Sequence, residues 1–361
     1  MEEINDINEM LDLMIQPAFS VVNGVISHQN AASGNLLLDQ GMAINDLLDT
    51  GAEEYASLEE GSLYLTLRIG SQVCGASVRR FANADVFVLD PDTHQAELQA
   101  MALAARELRQ PLSNVMTVAD RMFPIAGKDE DPVLQEQVAR INRGLYQMLR
   151  IIGNLSDAYR YTSDNGAGQQ TRNICALLEE IFAGHAALLQ NLQIKLNYTI
   201  PHQPIYCLVD EEMIERAVSN IFSNAAKFSH PGDQIHAALV RKGDLLYLTV
   251  KDEGSGIAPS LLGNVYSRYL REPGIEDGRF GIGLGMVLIR SAATAHGGTV
   301  LIEQPKEGGT QITMTMQIRQ NNEAMVFSPV RCIDYAGERD HKLIELSETL
   351  PISVYKKENI N

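Results

Sequence analysis

Tryptophan is absent from this 361-residue sequence and aromatic residues make up only 6% of it, yet 45% of the chain is hydrophobic. Burial must draw mainly on aliphatic side chains, and there are enough of them for a core in each of several domains. Cysteine is scarce: Cys74, Cys175, Cys207 and Cys332 lie far apart. Their dispersal gives no metal-type spacing and fits a reducing compartment. Basic residues are outnumbered, 29 Lys and Arg against 46 Asp and Glu, for a formal net charge of −17. Such a surface repels phosphate backbones and anionic lipid, which argues against broad nucleic acid or membrane-surface binding. No apolar run approaches the roughly 20 residues needed to span a bilayer. The opening "MEEINDINEM" is acidic and lacks the basic and apolar parts of a signal peptide. The expectation is a cytoplasmic protein.

What is present changes period along the chain. "LYLTLRI" (63–69) alternates strictly, predicting a half-buried strand with Leu63, Leu65, Leu67 and Ile69 on one face. "ADVFVLD" (84–90) reads as another strand. From Leu98 the pattern becomes heptad: Leu98, Met101, Ala105, Leu108, Leu112, Val115, Ala119 and Met122 form one a/d seam. After the polar turn "PIAGKDED", Asp131 and Pro132 open a second helix as cap and first residue. Its seam is Leu134, Val138, Ile141, Leu145, Met148, Ile152, Leu155 and Tyr159. Two such helices make an antiparallel hairpin, and a second copy would close a four-helix bundle. The alternative is a hairpin that folds back on its own neighbouring domains. "SDNGAGQQ" (163–170) is a linker by composition. A helix is predicted over about 171–191 and a strand at 194–200. A helix follows from about 210, then a hairpin through "KGD" and a late strand at 310–318.

Three clusters in this last region carry chemistry. In "NIFSNAAKFS" (220–229), Asn220, Asn224 and Lys227 fall at helical spacing on one side of a helix. A carboxamide oxygen suits Mg²⁺, and lysine supplies a point charge for phosphate. Asparagines on a helix are otherwise simply solvated. In "DEGSGI" (252–257), Asp252 can accept a hydrogen bond from an exocyclic amino group. Gly254 and Gly256 let backbone approach a flat base. Alone, the segment would read as a β-turn. In "GIGLGMVLIRSAATAHGG" (281–298), Gly281, Gly283 and Gly285 open a helical run whose first amides can hold phosphate oxygens. The preceding polar stretch, with Arg268, Arg271 and Arg279, reads as a long loop able to close over a nucleotide. Ordinary surface charge is the other reading of these arginines.

In this order and spacing the clusters resemble the N, G1 and G2 boxes of the ATP-binding domain shared by histidine kinases, DNA gyrase, mismatch-repair ATPases and a heat-shock chaperone family. "NVYSRYLR" (264–271) looks like the histidine-kinase F box, and "EGGTQITM" (307–314) like its closing segment. The heptad hairpin before the clusters narrows the resemblance to bacterial sensor histidine kinases. The resemblance implies ATP and Mg²⁺ as cofactors. Asn224 would ligate the metal, and Asn220 would support it. Lys227 would touch phosphate, Asp252 would read adenine beside Thr310, and Arg268 would join the ATP-binding residues. Gly254, Gly256, Gly281, Gly283 and Gly285 would allow close approach. "PAFSVVNGVISHQNAA" and "GMAINDLL" resemble a PAS sensory domain.

One residue departs from the family. Its first hairpin helix carries His-Glu-Leu-Arg-x-Pro-Leu; this chain has Arg106, Glu107, Leu108, Arg109, Gln110, Pro111 and Leu112. A neutral imidazole can attack phosphorus near neutral pH, but arginine stays protonated with its lone pairs delocalised. Glu107 and Gln110 are the candidate catalytic pair left, able to orient a water for phosphatase chemistry on a partner.

The expected fold is multidomain α+β. It comprises a PAS-like sensor (1–93), a dimerising helical hairpin (94–163), an α/β sandwich ATP-binding domain (164–320) and a tail of open role (321–361). The expected function is that of a homodimeric histidine-kinase homologue in two-component signalling, with a response regulator receiver domain or a partner kinase as partner. The alternative is an inactive, nucleotide-switched adaptor. Whether it is an enzyme stays open.

Overall fold

The fold is taken from a computed structural model, which describes residues 2–59, 61–90, 95–122, 132–163, 168–257, 284–319 and 339–360. The N-terminal part begins with α1 (Glu2–Asp12) and the hairpin β1 (Ala18–Val22) and β2 (Val25–Gln29). Asn23 and Gly24 make its two-residue turn with φ of 53° and 79°, the left-handed pair that matches strand twist. The short helix α2 (Ala52–Ser57) precedes β3 (Ser62–Ile69), β4 (Gln72–Arg80) and β5 (Asp85–Leu89). Phe19 stacks on Phe87 at 4.9 Å in the core of this unit.

Two long helices follow, α3 (Gln95–Met122) and α4 (Pro132–Ser163). Helix α3 runs through Pro111. The heptad seams divide into two rows. Ala105, Leu112 and Ala119 of α3 and Val138, Leu145 and Ile152 of α4 are buried. Leu108 and Val115, with Leu134, Ile141 and Met148, are 44–54% exposed. One row of each helix therefore closes the hairpin, and the other is left on its surface. A further face of α4 packs on helices of the C-terminal part. The fold-back alternative thus describes one side of the hairpin. Leu98, Met122 and the turn with Asp131 lie outside the residues whose side chains are described.

The C-terminal part contains β6 (Gln170–Asn173), α5 (Ile174–Leu189), β7 (Lys195–Thr199), β8 (Tyr206–Val209), α6 (Glu211–Phe228), β9 (Gln234–Lys242) and β10 (Leu245–Asp252). It continues with α7 (Gly285–Ala295), β11 (Val300–Glu303), β12 (Gln311–Gln317) and the short α8 (His341–Glu345). The helix expected from 171 starts instead at Ile174. Residues 170–173 pair with β8 as a strand, and the Asn173 side chain caps α5 by accepting from the Cys175 amide. On β10, Leu246, Leu248 and Val250 are buried, alternating with half-buried residues.

The sheet does not stop at the boundary between the two parts. Its order is β2-β1-β5-β4-β3-β11-β12-β10-β9-β7. The junction is antiparallel pairing of β11 with β3, with Val300, Leu301 and Ile302 opposite Tyr64, Leu63 and Ser62. This corrects the half-buried reading of β3. Leu63, Leu65 and Leu67 enter the N-terminal core, whereas Tyr64 joins the C-terminal one. Arg290 of α7 lies 4.9 Å over the Tyr64 ring and 2.6 Å from Asp90. Strict alternation revealed the strand but not that both faces would be covered. Among the described residues no helix is long and apolar enough to cross a membrane.

His185 of α5 is buried against Phe222, and its Nδ1 donates to the Ile181 carbonyl at 2.8 Å. Burial lowers its pKa to about 4 from 6.5. Between these values the unfolded chain binds a proton that the folded chain refuses, so stability falls as pH drops through that window. Urea unfolding at pH 7 and pH 4.5 should show a loss on the order of 2–3 kcal/mol from this group. A His185→Phe variant should lose less than the parent over the same interval; an identical loss refutes the assignment.

Candidate functional site

Helix α6 is the hub of the site. It starts where the Asp210 side chain accepts from the Met213 amide at 3.0 Å, with Glu211 and Glu212 in its first turn and Lys227 in its last. Buried His296, at the end of α7, fixes this start. Its Nδ1 donates to the Ala292 carbonyl and its Nε2 accepts from the Asp210 amide at 3.0 Å. Burial lowers its pKa, which favours the neutral ring that this pattern requires.

The carboxamide of Asn220 is fully buried. Its Nδ2 donates to the Arg216 carbonyl at 2.9 Å, while its Oδ1 has no hydrogen-bond partner among the described residues. A buried acceptor left without a donor is costly, and a cation or a water held by one would satisfy it. Beside it is Gly285: a Cβ there would lie 2.9 Å from Oδ1. Asn224, one turn on, is half-buried. Lys227 is 9% exposed, and its Nζ meets Glu348 Oε2 at 2.9 Å.

The second cluster abuts the end of the same helix. Gly254 lies so close to the Phe228 carbonyl that a Cβ would come within 2.5 Å of it, and Ser255 donates to that carbonyl at 3.1 Å. Asp252 ends β10 and is buried. Its Oδ1 accepts from the amides of Gly254 and Thr310, both at 3.0 Å, leaving Oδ2 as an acceptor for something else. Burial raises the Asp252 pKa, against those two amides. Gly256 has φ +73°, and Gly309 has φ +80°.

The structure thus brings Asn220, Asn224, Lys227, Gly285, Asp252, Gly254, Gly256 and Thr310 around one helix. Arg268, Gly281 and Gly283, with the F-box segment and its loop, lie outside the described residues. So does Cys332. Arg106, Glu107 and Gln110 are exposed on α3. Gln110 donates to Asn114 at 3.3 Å, and Arg109 donates to Ser156 of α4 at 3.1 Å. Cys74, Cys175 and Cys207 are free thiols, and burial pushes Cys207 up to about 11. An open cleft of about 690 Å³ beside Cys175, Tyr198 and His202 contains none of the candidate residues.

Sequence reasoning missed the charged residues around α6. Arg216 is completely buried, 2.9 Å from Asp157 of α4 and 2.7 Å from Glu345 of α8. Arg150 of α4 lies 3.1 Å from Glu345 and 2.7 Å from Glu348. An arginine inside the apolar run "MIERAV" was the available signal.

Comparison with known proteins agrees with this geometry. Residues 209–320 match the family described as histidine kinase-, DNA gyrase B- and HSP90-like ATPase. Over 333 residues the chain is 22% identical to the sensor histidine kinase WalK of Bacillus subtilis, covering 88% of this chain and 53% of WalK. It is 27% identical over 246 residues to hybrid signal transduction histidine kinase D of Dictyostelium discoideum, covering 64% of this chain and 15% of that protein. The full-length ShkA structure, solved in complex with AMPPNP, shares the fold with a TM-score of 0.50 at 16% identity, over 69% of this chain and 54% of ShkA. The chain therefore carries a histidine kinase-, gyrase B- and HSP90-like ATPase domain over residues 209–320, and it is similar to sensor histidine kinases over most of its length. It spans between 15% and 53% of the length of the first three curated relatives it matches.

A Cβ at Gly309 would lie 1.9 Å from the Asp252 carbonyl, in a backbone region that favours glycine. Gly309→Ala should cost about 2 kcal/mol or more in urea unfolding. An unchanged midpoint would show that the turn is not held as described.

Proposed function

We propose that the chain binds ATP with Mg²⁺ and works as a homodimer in two-component signalling, without forming a phosphohistidine at position 106. The observation that carries the nucleotide reading is the orphaned Asn220 Oδ1 beside Gly285, on the same helix that abuts the anchored Asp252 loop. These residues fit the implied group. Asn224, supported by Asn220, would hold Mg²⁺. Lys227, Gly285, Gly281, Gly283 and Arg268 would receive phosphate. Asp252, with Thr310, Gly254 and Gly256, would receive adenine. Bound ATP would supply a transferable phosphoryl group and Mg²⁺ would neutralise its charge.

A second reading is favoured by Arg106. An exposed guanidinium stands at the acceptor position and cannot take up phosphate as imidazole does. The protein then acts as an adaptor that nucleotide switches, regulating a partner kinase or a response regulator. Glu107 and Gln110 would be its remaining candidates for phosphatase chemistry on that regulator. The fivefold strand order β2-β1-β5-β4-β3 supports a PAS-like sensory unit over residues 1–93. The hairpin and ATP-binding units would follow at 94–163 and 164–320.

Incubation with γ-labelled ATP and Mg²⁺ tests what the two readings share, nucleotide binding without phosphate taken up at position 106. Binding without retained label is the expected result, and Arg106→His should gain label. Label retained by the unaltered chain would sink the adaptor reading.

The exposed heptad row supports the homodimer. Leu108, Val115, Leu134, Ile141 and Met148 form an apolar stripe that a second hairpin would cover. Sedimentation should give a dimer, and Ile141→Glu a monomer. A monomeric parent chain would remove this part of the proposal.

A further inference from the structure

The C-terminal segment 339–360 returns to the cleft between α4 and α6. Leu343, Ile344, Leu346, Leu350 and Tyr355 are at most 6% exposed and belong to the same core as α4 and α6. Tyr355 stacks edge-on against Tyr146 at 5.3 Å. Side chains of α4 grip the backbone of the segment. Arg143 donates to the carbonyls of Ser347 and Glu348 at 3.0 and 2.8 Å, and Asn142 donates to that of Tyr355 at 3.1 Å. From α6, Ser223 donates to the Glu345 carbonyl at 3.0 Å. The segment is therefore seated by apolar packing and backbone hydrogen bonds as well as by its acidic side chains.

One of those side chains, Glu348, reaches the candidate phosphate residue Lys227. One oxygen of Glu348, Oε2, lies 2.7 Å from Arg150 Nη1 and 2.9 Å from Lys227 Nζ. Glu348 is 10% exposed and Lys227 9%, so this contact is only weakly screened by solvent. A phosphate approaching Lys227 meets a fixed carboxylate already there. Like charges at that distance repel, and the lysine cannot serve both fully.

We propose that residues 339–360 form an internal latch in which Glu348 competes with nucleotide phosphate for Lys227. The proposal rests on the assignment of Lys227 to phosphate. It goes beyond that assignment in coupling the site to a segment of the chain outside the matched ATPase region. With the latch docked, Glu345 and Glu348 also tie α4 to α6 through Arg150 and Arg216. Nucleotide that displaces Glu348 loosens this tie, and linkage requires the docked tail to weaken nucleotide by the same factor. A segment serving only as a static brace would show no such coupling.

The test uses the full chain, with AMPPNP·Mg²⁺ and adenosine as probes in calorimetric titrations. Glu348→Gln keeps the size of the side chain and removes its charge. It should bind AMPPNP on the order of fivefold more tightly, with adenosine affinity unchanged. Binding of AMPPNP by the variant alone supports the latch equally. Hydrogen exchange on the unaltered chain needs no variant: amides of residues 341–355 should exchange faster once AMPPNP is bound. If AMPPNP binds but neither its affinity nor this exchange changes, the latch is overturned and the nucleotide reading stands. If neither chain binds AMPPNP, both readings fall.

Discussion

Arg216 has no exposed side-chain surface, and it meets carboxylates from two distant parts of the chain. Asp157 comes from the hairpin and Glu345 from the C-terminal segment, while Arg216 itself belongs to the helix that bears the candidate nucleotide residues. The contacts at 2.9 and 2.7 Å involve Asp157 Oδ2 and Glu345 Oε1, neither of which has hydrogen-bond alignment, so they act as charge pairs. A hydrogen bond to Asn154 at 2.9 Å adds direction. Burial raises the Asp157 pKa in spite of Arg216, which marks how strongly this pocket excludes water. Such pairs contribute little net stability over apolar packing, but removing one member typically costs about 3–5 kcal/mol. Their effect is to fix arrangement. Hairpin, candidate-site helix and tail are joined at one guanidinium, and moving any of them exposes a charge that has lost its partner.

The local part of this arrangement was legible in the sequence. The heptad spacing from Ala105 to Ala119 and from Leu134 to Tyr159 predicts two helices, since period alone separates helix from strand. Alternation in "LYLTLRI" and "TQITMTMQI" predicts β3 and β12 for the same reason. The Asn23-Gly24 dipeptide carries a turn signal for the β1–β2 hairpin that periodicity alone does not use. What the periods do not contain is the partner of each face. Tyr64 and Thr66 read as the outer side of a strand. Tyr64 is buried because Arg290 and the C-terminal core arrive from some 230 residues away, and Thr66 because Thr50 packs on it through its hydroxyl. Nor could the heptad pattern say which row of each seam would close the hairpin and which would stay exposed.

The candidate site divides in the same way. Asn220, Asn224, Lys227, Asp252 and the glycines announce themselves because each has a chemical type suited to a nucleotide and lies at a spacing that one helix or turn can gather. Their immediate chemistry follows from the motif. The identity of their neighbours does not. Glu345 and Glu348 stand in an ordinary amphipathic pattern, "HKLIELSETLP", whose apolar spacing gives a helix but no address. Arg150 sits among the hairpin heptads, where arginine normally faces water. These charges acquire meaning only once the tail crosses back over α4, a contact spanning 195 residues between Arg150 and Glu345.

The ladder that joins β3 to β11 holds only three residue pairs. Among the described residues it is the one place where the two halves of the ten-stranded sheet are hydrogen-bonded to each other. If the C-terminal unit moves relative to the hairpin, this seam sets a geometric choice. Either the whole N-terminal sheet travels with that unit as a rigid plate, or the seam opens and leaves two raw strand edges in water. Bare edges readily recruit other strands. A chain built this way is better regarded as two plates sharing one edge than as separate beads on a string. A fragment cut between them would carry an unguarded edge that the intact chain keeps covered.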